Sequence, residues 1–124
     1  MALQISAQEM QEYKRTARQR WLDEQSQLAR RRERAWELAR QAADMLRRDF
    51  AAARVVIFGS LVQEGRFTEW SDVDLAAWGL DSTNWLKAIG AVHRLSDEIE
   101  LNLVDVGSCS PELLAVIERE GQSL

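Results

Sequence analysis

The sequence is poor in the residues that crosslink a chain or interrupt its regular structure. It has one cysteine, Cys109, and one proline, Pro111, among 124 residues. A single cysteine excludes a disulfide bond within the chain and is typical of proteins from a reducing compartment. We therefore expect a cytoplasmic protein.

Membrane signals are also missing. No apolar run approaches the roughly 20 residues that a membrane-spanning helix needs. The first ten residues, MALQISAQEM, lack the order of a signal peptide, in which basic residues precede an apolar stretch. We expect no association with a membrane.

The charge is unevenly distributed along the chain. Residues 1–54 carry 12 Lys and Arg against 8 Asp and Glu, whereas residues 55–124 carry 4 against 12. The basic run Arg30–Arg34 could meet nucleic acid or an acidic partner, but a solvated helix face is the simpler interpretation. The acidic second half is a poor surface for nucleic acid, so we do not expect nucleic acid as a partner.

No glycine or proline occurs before Gly59, so nothing obliges the first 50 residues to break. Ser6-Ala-Gln-Glu9 is a capping box and predicts a helix start near residue 7. One long helix, or two with a joint near residues 30–34, both fit the pattern. An unbroken helix would span roughly 65 Å, so its first half would project or fold back. Its apolar stripes are Met10, Tyr13, Ala17, Trp21 and Leu28, and then Trp36, Ala39, Ala43, Leu46 and Phe50.

After residue 54 the pattern alternates between strands and helices. The apolar runs predict strands at Val55–Phe58, Asp72–Trp78 and Ile99–Val106. Asp81 or Ser82 could cap a helix between the second and third strands. A last helix is predicted from Ser110-Pro111 to Gly121. The predicted class is α/β (α+β): a small mixed sheet of about three or four strands with packed helices, preceded by a long N-terminal helix or helix pair.

The segment VVIFGSLVQEGRFTEWSDVDLAAWG, residues 55–79, carries the strongest chemical signal. Asp72 and Asp74 share one face of a strand, because side chains two residues apart point the same way. Two carboxylates held this close favour a divalent cation such as Mg²⁺. Upstream, Gly59 lets the backbone approach a phosphate, and the Ser60 hydroxyl adds a donor. Metal beside phosphate indicates phosphoryl or nucleotidyl chemistry.

Gly59-Ser60, followed after eleven residues by Asp72-Val73-Asp74-Leu75-Ala76, resembles the signature of the DNA polymerase β-like nucleotidyltransferase superfamily. The small size resembles its minimal nucleotidyltransferase (MNT) branch. The resemblance covers about residues 36–121, which divides the chain into an N-terminal helical extension, 1–35, and a nucleotidyltransferase domain, 36–124. It implies that Gly59, Ser60 and Ser71 bind the nucleotide, and that Asp72 and Asp74 are catalytic and hold Mg²⁺.

The family places a third catalytic aspartate on the next strand, and this sequence departs from that pattern. The matching stretch is Leu101-Asn-Leu-Val-Asp-Val106, so Asn102 falls where the aspartate belongs. Asparagine offers a neutral ligand but cannot accept a proton. By alternation Glu100 shares the face of Asn102 and is a candidate substitute carboxylate, whereas Asp105 points to the opposite face.

The resemblance implies an antitoxin that transfers AMP from ATP to a hydroxyl, on a tyrosine, of a HEPN-type toxin protein. The chain has little room for a separate acceptor-binding domain, which favours a protein acceptor. The alternative is a binding module with an attenuated nucleotide site, which neutralises its partner stoichiometrically and grips it with the long helix. That helix is also a candidate for self-association.

Overall fold

The computed structural model describes residues 4–124. Residues 1–3 begin both the predicted extension and the segment compared with a signal peptide, and they lie outside the described residues. Two short 3₁₀ turns, Ser60–Val62 and Val106–Ser108, follow the first and third strands. The other elements are α1 (Ala7–Phe50), β1 (Arg54–Phe58), β2 (Val73–Trp78), α2 (Trp85–His93), β3 (Leu101–Asp105), α3 (Pro111–Glu120) and β4 (Gln122–Ser123).

Helix α1 is one continuous helix of 44 residues, which decides between the two alternatives for this segment. It starts where the capping box predicts, because the Ser6 hydroxyl accepts a hydrogen bond of 3.0 Å from the Glu9 amide. It ends at Phe50, and the left-handed backbone of the next residue, Ala51 (φ 55°), allows the Ala52 amide to donate to the Leu46 carbonyl.

The two halves of α1 differ in burial. Residues 4–27 are exposed, Leu28 is the first partly buried residue, and Ala35 is the first fully buried one. The first half therefore projects from the domain. The division of the chain at residue 35 stays a prediction, since the helix itself runs on unbroken. The buried face of α1 is rich in alanine and consists of Ala35, Leu38, Ala39, Ala42, Ala43 and Leu46.

The sheet is mixed and has four strands in the order β3-β2-β1-β4, which confirms the predicted α+β class. Strands β1 and β2 are antiparallel, and β2 and β3 are parallel with α2 as the crossover between them. Strand β4 has only two residues and pairs with Val56 and Ile57 of β1. So short a strand carries no alternating pattern, and the sequence did not locate it.

Each face of the sheet packs on helices, and alternate strand residues serve the two faces. Val55 and Ile57 belong to the main core with α1 and α2. Val56 and Phe58 belong to a smaller cluster with Ile117 of α3. Because the sides alternate, Val73 and Leu75 of β2 point to the α1 side, and Asp74 lies on the α3 side.

The helix boundaries predicted from the sequence are confirmed with one exception. Helix α3 is capped by Ser110 and stops before Gly121, as the sequence predicts. Helix α2 begins at Trp85, later than a cap at Asp81 or Ser82 would place it. The Asp81 carboxylate accepts from Thr83 and Asn84 and so caps the turn ahead of the helix, and the bonds from Thr83 lower its pKa. Within residues 4–124, no helix combines the length and apolar content needed to cross a membrane.

Candidate active site

The motif residues meet where three segments of the sheet converge. Strand β1 ends at Phe58, directly before Gly59 and Ser60, while β2 and β3 begin at the same edge of the sheet. Phe58 pairs with Asp74, and Asp74 in turn pairs with Asn102 across the parallel ladder. The fold therefore places the Gly-Ser turn, the two aspartates and Asn102 at one edge.

The side chains of Asp72, Asp74 and Asn102 are in contact. The Asn102 side-chain nitrogen, Nδ2, lies 3.5 Å from Asp72 Oδ2 and 3.5 Å from Asp74 Oδ1. These are long hydrogen bonds, and they bring the amide between the two carboxylates. The predicted register, with Asn102 facing the aspartate pair, agrees with this geometry.

The environment of Asp74 disfavours its charged form. Partial burial raises the pKa of this carboxyl above its ordinary value, the hydrogen bond from Asn102 opposes the rise, and the charge of Asp72 adds to it. A cation bound between the two carboxylates would relieve both the burial cost and the repulsion. The electrostatics of the pair thus favour a positively charged ligand.

Gly59 makes the close approach of the first loop to this pair possible. Its backbone has φ +82°, a conformation that side chains with a Cβ rarely adopt. A Cβ at this position would lie 2.7 Å from Asp74 Oδ2. The turn after β1 therefore packs directly against the carboxylate, and a Cβ at residue 59 would force the Asp74 side chain to move.

We expect Gly59→Ala to weaken nucleotide binding more than Ser60→Ala does. The alanine would push against Asp74, whereas Ser60→Ala removes a single hydrogen bond, worth about 0.5–1.5 kcal/mol, or up to about 3 kcal/mol to a charged group. Gly65→Ala is the matched control, because Gly65 also has a positive φ, +75°, with nothing within 4 Å of an added Cβ. Calorimetry with MgATP measures all three. The opposite ranking of Gly59 and Ser60 would argue against the turn as a phosphate cradle.

The two serines of the motif differ in what surrounds them. Ser60 begins the 3₁₀ turn beside Gly59 and is partly buried. The Ser71 hydroxyl accepts a bond of 2.9 Å from the Thr68 amide and lies 3.2 Å from the Thr68 hydroxyl. Ser71 thus closes a tight turn just before Asp72. The nucleotide-binding roles of both serines stay predictions.

The remaining carboxylates of β3 lie apart from the pair. Asp105 accepts from the Gly107 amide and the Ser108 hydroxyl, so it caps the following turn on the other side of the strand, as predicted. Glu100 precedes the strand and is exposed. Across residues 4–124, no three His, Cys, Asp or Glu side chains come close enough together to hold a metal ion. The structure therefore does not bring Glu100 to Asp72 and Asp74.

Two arginines of the basic run contact the loops around the site, which the sequence did not reveal. Arg31 Nη2 donates to the Ser71 carbonyl at 3.0 Å, and Arg32 Nη2 lies 3.4 Å from the Leu61 carbonyl. Arg34 instead pairs with Glu37 on the helix surface. A run of arginines in sequence looks like a solvated face, and nothing in it marks the members that reach carbonyls of distant loops.

The residues present fit a hard divalent cation. Asp72 and Asp74 supply carboxylate oxygens, and rotation of the Asn102 side chain would turn its amide oxygen toward the same point. Three protein ligands leave coordination positions for phosphate oxygens and water, as Mg²⁺ sites usually do.

No protein-family model matches the chain, and no curated protein matches it.

Comparison of structures finds toxin–antitoxin proteins. A mutant of the pair MntA-HpeT is 25% identical with a TM-score of 0.56, covering 68% of this chain and 69% of that one. The structure of a tri-AMPylated Shewanella oneidensis HEPN toxin in complex with MNT antitoxin is 19% identical with a TM-score of 0.54, covering 72% of this chain and 70% of that one. A toxin–antitoxin structure with AMP-PNP is 24% identical with a TM-score of 0.53, covering 67% of this chain and 69% of that one.

The fold is thus shared with these toxin–antitoxin structures, and it places the Gly-Ser turn and the Asp-x-Asp pair at one edge of the sheet. The solved structures that it resembles include an MNT antitoxin in complex with a HEPN toxin and the pair MntA-HepT. This confirms the resemblance that the motif indicated.

Proposed function

We propose that this chain is an antitoxin-type nucleotidyltransferase that uses Mg²⁺ to transfer AMP from ATP to a hydroxyl group of a HEPN-type toxin protein. The observation that carries the proposal is the Asp72–Asp74 pair packed against the Gly59–Ser60 turn. Support also comes from the matched structures, which include an AMPylated HEPN toxin with its MNT antitoxin and a complex with AMP-PNP.

Each motif residue has a distinct part in this chemistry. Asp72 and Asp74 would hold Mg²⁺, which when bound supplies charge neutralisation for the triphosphate. The turn at Gly59 and the Ser60 hydroxyl would bind phosphate oxygens, and Ser71 would assist from the turn before Asp72. In this reaction the oxygen of the acceptor hydroxyl forms a bond to the α-phosphorus of ATP. The bond between that phosphorus and the oxygen bridging to the β-phosphate breaks, and pyrophosphate leaves.

The acceptor hydroxyl also loses a proton in this reaction, and that proton passes to solvent water, because Asn102 cannot take it. We propose that the natural protein is attenuated for this reason. Asn102 faces the aspartate pair at the place where the resemblance implies a third carboxylate. Glu100 stays a candidate substitute only if its side chain moves toward the pair when substrates bind.

The second candidate function is a binding module that neutralises the toxin without modifying it. It is favoured by the Asn102 amide, which can donate to both carboxylates as an aspartate could not. Such contacts stabilise the pair without a metal. The exposed half of α1, with Tyr13 at 70% and Trp21 at 57% exposure, would then be the surface that grips the partner.

One experiment separates the two functions. The purified chain is incubated with a candidate HEPN toxin, Mg²⁺ and ATP labelled at the α-phosphate, and the proteins are then separated. Label on the toxin, lost when Mg²⁺ is chelated, supports the enzyme. A tight complex without label supports the binding module. If the toxin carries no label and forms no complex with the chain, both functions are contradicted for that toxin.

Two further expectations stay predictions. A cytoplasmic location is expected from the cysteine content. Self-association through α1 is expected from its exposed apolar residues, among them Met10, Tyr13 and Trp21.

A further inference from the structure

We propose that Arg31 is a positioning residue, which fixes the backbone before Asp72 and before β3 so that the aspartate pair and Asn102 meet in the geometry that binds a cation. The inference rests on the proposed function, because it assigns Arg31 a part in the same metal site. It concerns a residue outside the motif, 41 positions before Asp72 and on a different element.

Arg31 connects three parts of the fold through one side chain. Its Nη2 donates to the Ser71 carbonyl at 3.0 Å, and its Nη1 lies 3.4 Å from the Glu98 carbonyl. The guanidinium carbon also lies 6.0 Å from the centre of the Phe67 ring. Arg31 belongs to α1, so it links the long helix to the loop entering β2 and to the loop entering β3.

The two carbonyls are well placed to control the site. The Ser71 carbonyl belongs to the peptide bond that leads into Asp72. The Glu98 carbonyl is four residues before Asn102, and the Glu100 carbonyl accepts from the Val73 amide, which joins the same two loops. Fixing both carbonyls adds to the β2–β3 ladder, which pairs Asp74 with Asn102, in holding the start of β2 and the start of β3 at a set spacing, and thereby Asp72 and Asn102.

The guanidinium is suited to this task because its planar fork carries several donors in fixed directions. A lysine ammonium is a point charge and would not hold the same fork geometry. The side chain is partly buried, and within the described residues its Nε has no hydrogen-bond partner. A buried donor left unpaired disfavours folding, so the contacts of Nη1 and Nη2 must offset it.

The charge of Arg31 and its positioning role predict opposite changes in metal affinity when Arg31 is replaced. Arg31 is a cation close to a proposed cation site, so removing its charge would strengthen metal binding by reducing repulsion. Loss of positioning would weaken metal binding, and residues that orient metal ligands typically contribute about 10–100-fold in affinity. The direction of the change therefore distinguishes the two roles.

The test uses the full chain with Mn²⁺ alone as the probe, followed by electron paramagnetic resonance, and needs neither toxin nor nucleotide. The variants are Arg31→Met, Arg31→Lys, Asp72→Asn and, as a matched control on the same helix, Arg34→Met. Arg34 pairs with Glu37 on its own helix, and within residues 4–124 it donates no hydrogen bond to a loop of the site. Melting temperatures are recorded for every variant, and Arg31→Lys decides the matter if Arg31→Met does not fold.

We expect Arg31→Lys to bind Mn²⁺ about 10-fold more weakly than the natural protein and Arg31→Met about 10–100-fold more weakly. Arg34→Met should bind as the natural protein does. Natural-strength or stronger binding by a folded Arg31→Lys, in a protein whose binding Asp72→Asn does weaken, would overturn the inference alone. Absence of Mn²⁺ binding by the natural protein, or binding that Asp72→Asn leaves unchanged, would contradict the metal site and with it the proposed function.

Discussion

If the proposed function is right, replacing Asp72 or Asp74 with asparagine should lower AMP transfer to the toxin by about 10³-fold or more and abolish Mg²⁺-dependent binding of ATP. Each change removes a carboxylate from a pair that the fold holds on one face of the sheet edge. A catalytic cation contributes several kcal/mol of charge stabilisation. About 4 kcal/mol corresponds to about 10³ in rate.

Neither change should unfold the protein. The pKa of Asp74 is raised in the folded state, so stability falls as the pH rises from the ordinary carboxyl pKa to the raised one, and the loss is complete above it. The charge of Asp72 is one cause of the raised pKa of Asp74, and Asp72→Asn removes it. This change should therefore leave the melting temperature at neutral pH unchanged or slightly higher. Thermal melting without metal checks this sign.

Transfer of labelled AMP and calorimetry with MgATP measure the loss. Asp97→Asn is the matched control, since Asp97 is an exposed carboxylate in the loop before β3. Unchanged affinity for MgATP in both Asp72→Asn and Asp74→Asn would contradict the metal site.

Replacing Asn102 with aspartate is expected to raise AMP transfer by about 10²–10⁴-fold, the usual contribution of general-base catalysis. The new carboxylate would face Asp72 and Asp74, where Asn102 Nδ2 now lies 3.5 Å from each. It supplies a charged ligand and a group able to accept the proton of the acceptor hydroxyl. Initial rates of label transfer measure the gain.

The same change should destabilise the protein when no metal is present. Asn102→Asp replaces a donor to two carboxylates with a third negative charge, so like charges meet without a partner. We expect a lower melting temperature that Mg²⁺ restores. A melting temperature that Mg²⁺ does not restore would contradict a cation site at these three side chains.

Two other carboxylates serve as controls for Asn102. Asp105→Asn should leave transfer unchanged, because Asp105 caps the turn at Gly107 and Ser108. Glu100→Gln shows whether Glu100 supplies the missing proton acceptor in the natural protein, since loss of transfer would assign it that role. If Asp105→Asn abolishes transfer while Asn102→Asp has no effect, the reacting groups lie on the other face of β3.

The centre of the candidate site could be predicted because its signals are local. Alternation along a strand places Asp72 and Asp74 on one face, and the same alternation turns Asp105 away from Asn102. A glycine directly after a strand marks Gly59 as the residue that lets the backbone approach a phosphate, whereas its close contact with Asp74 is known only from the structure. Each of these predictions needs only a few adjacent residues and the geometry of a strand.

The supports of the site could not be predicted because they depend on distant parts of the chain. Arg31 contacts carbonyls 40 and 67 residues away, and a carbonyl contact requires no particular residue type at the receiving position. Strand β4 is similar, because its two residues become a strand only by pairing with β1. The continuity of α1 was open for a different reason, since the polar run at Arg30–Arg34 is compatible with both a joint and a helix.

The uneven burial of α1 implies two levels of protection in one helix. The half from Ala35 onward opens only when the core does, so its amide hydrogens should exchange with solvent on the timescale of global unfolding. The exposed half avoids the cost of nucleation because it extends a helix already formed. Its amides should exchange by fraying, faster toward Ala7, and a bound partner protein would slow them selectively.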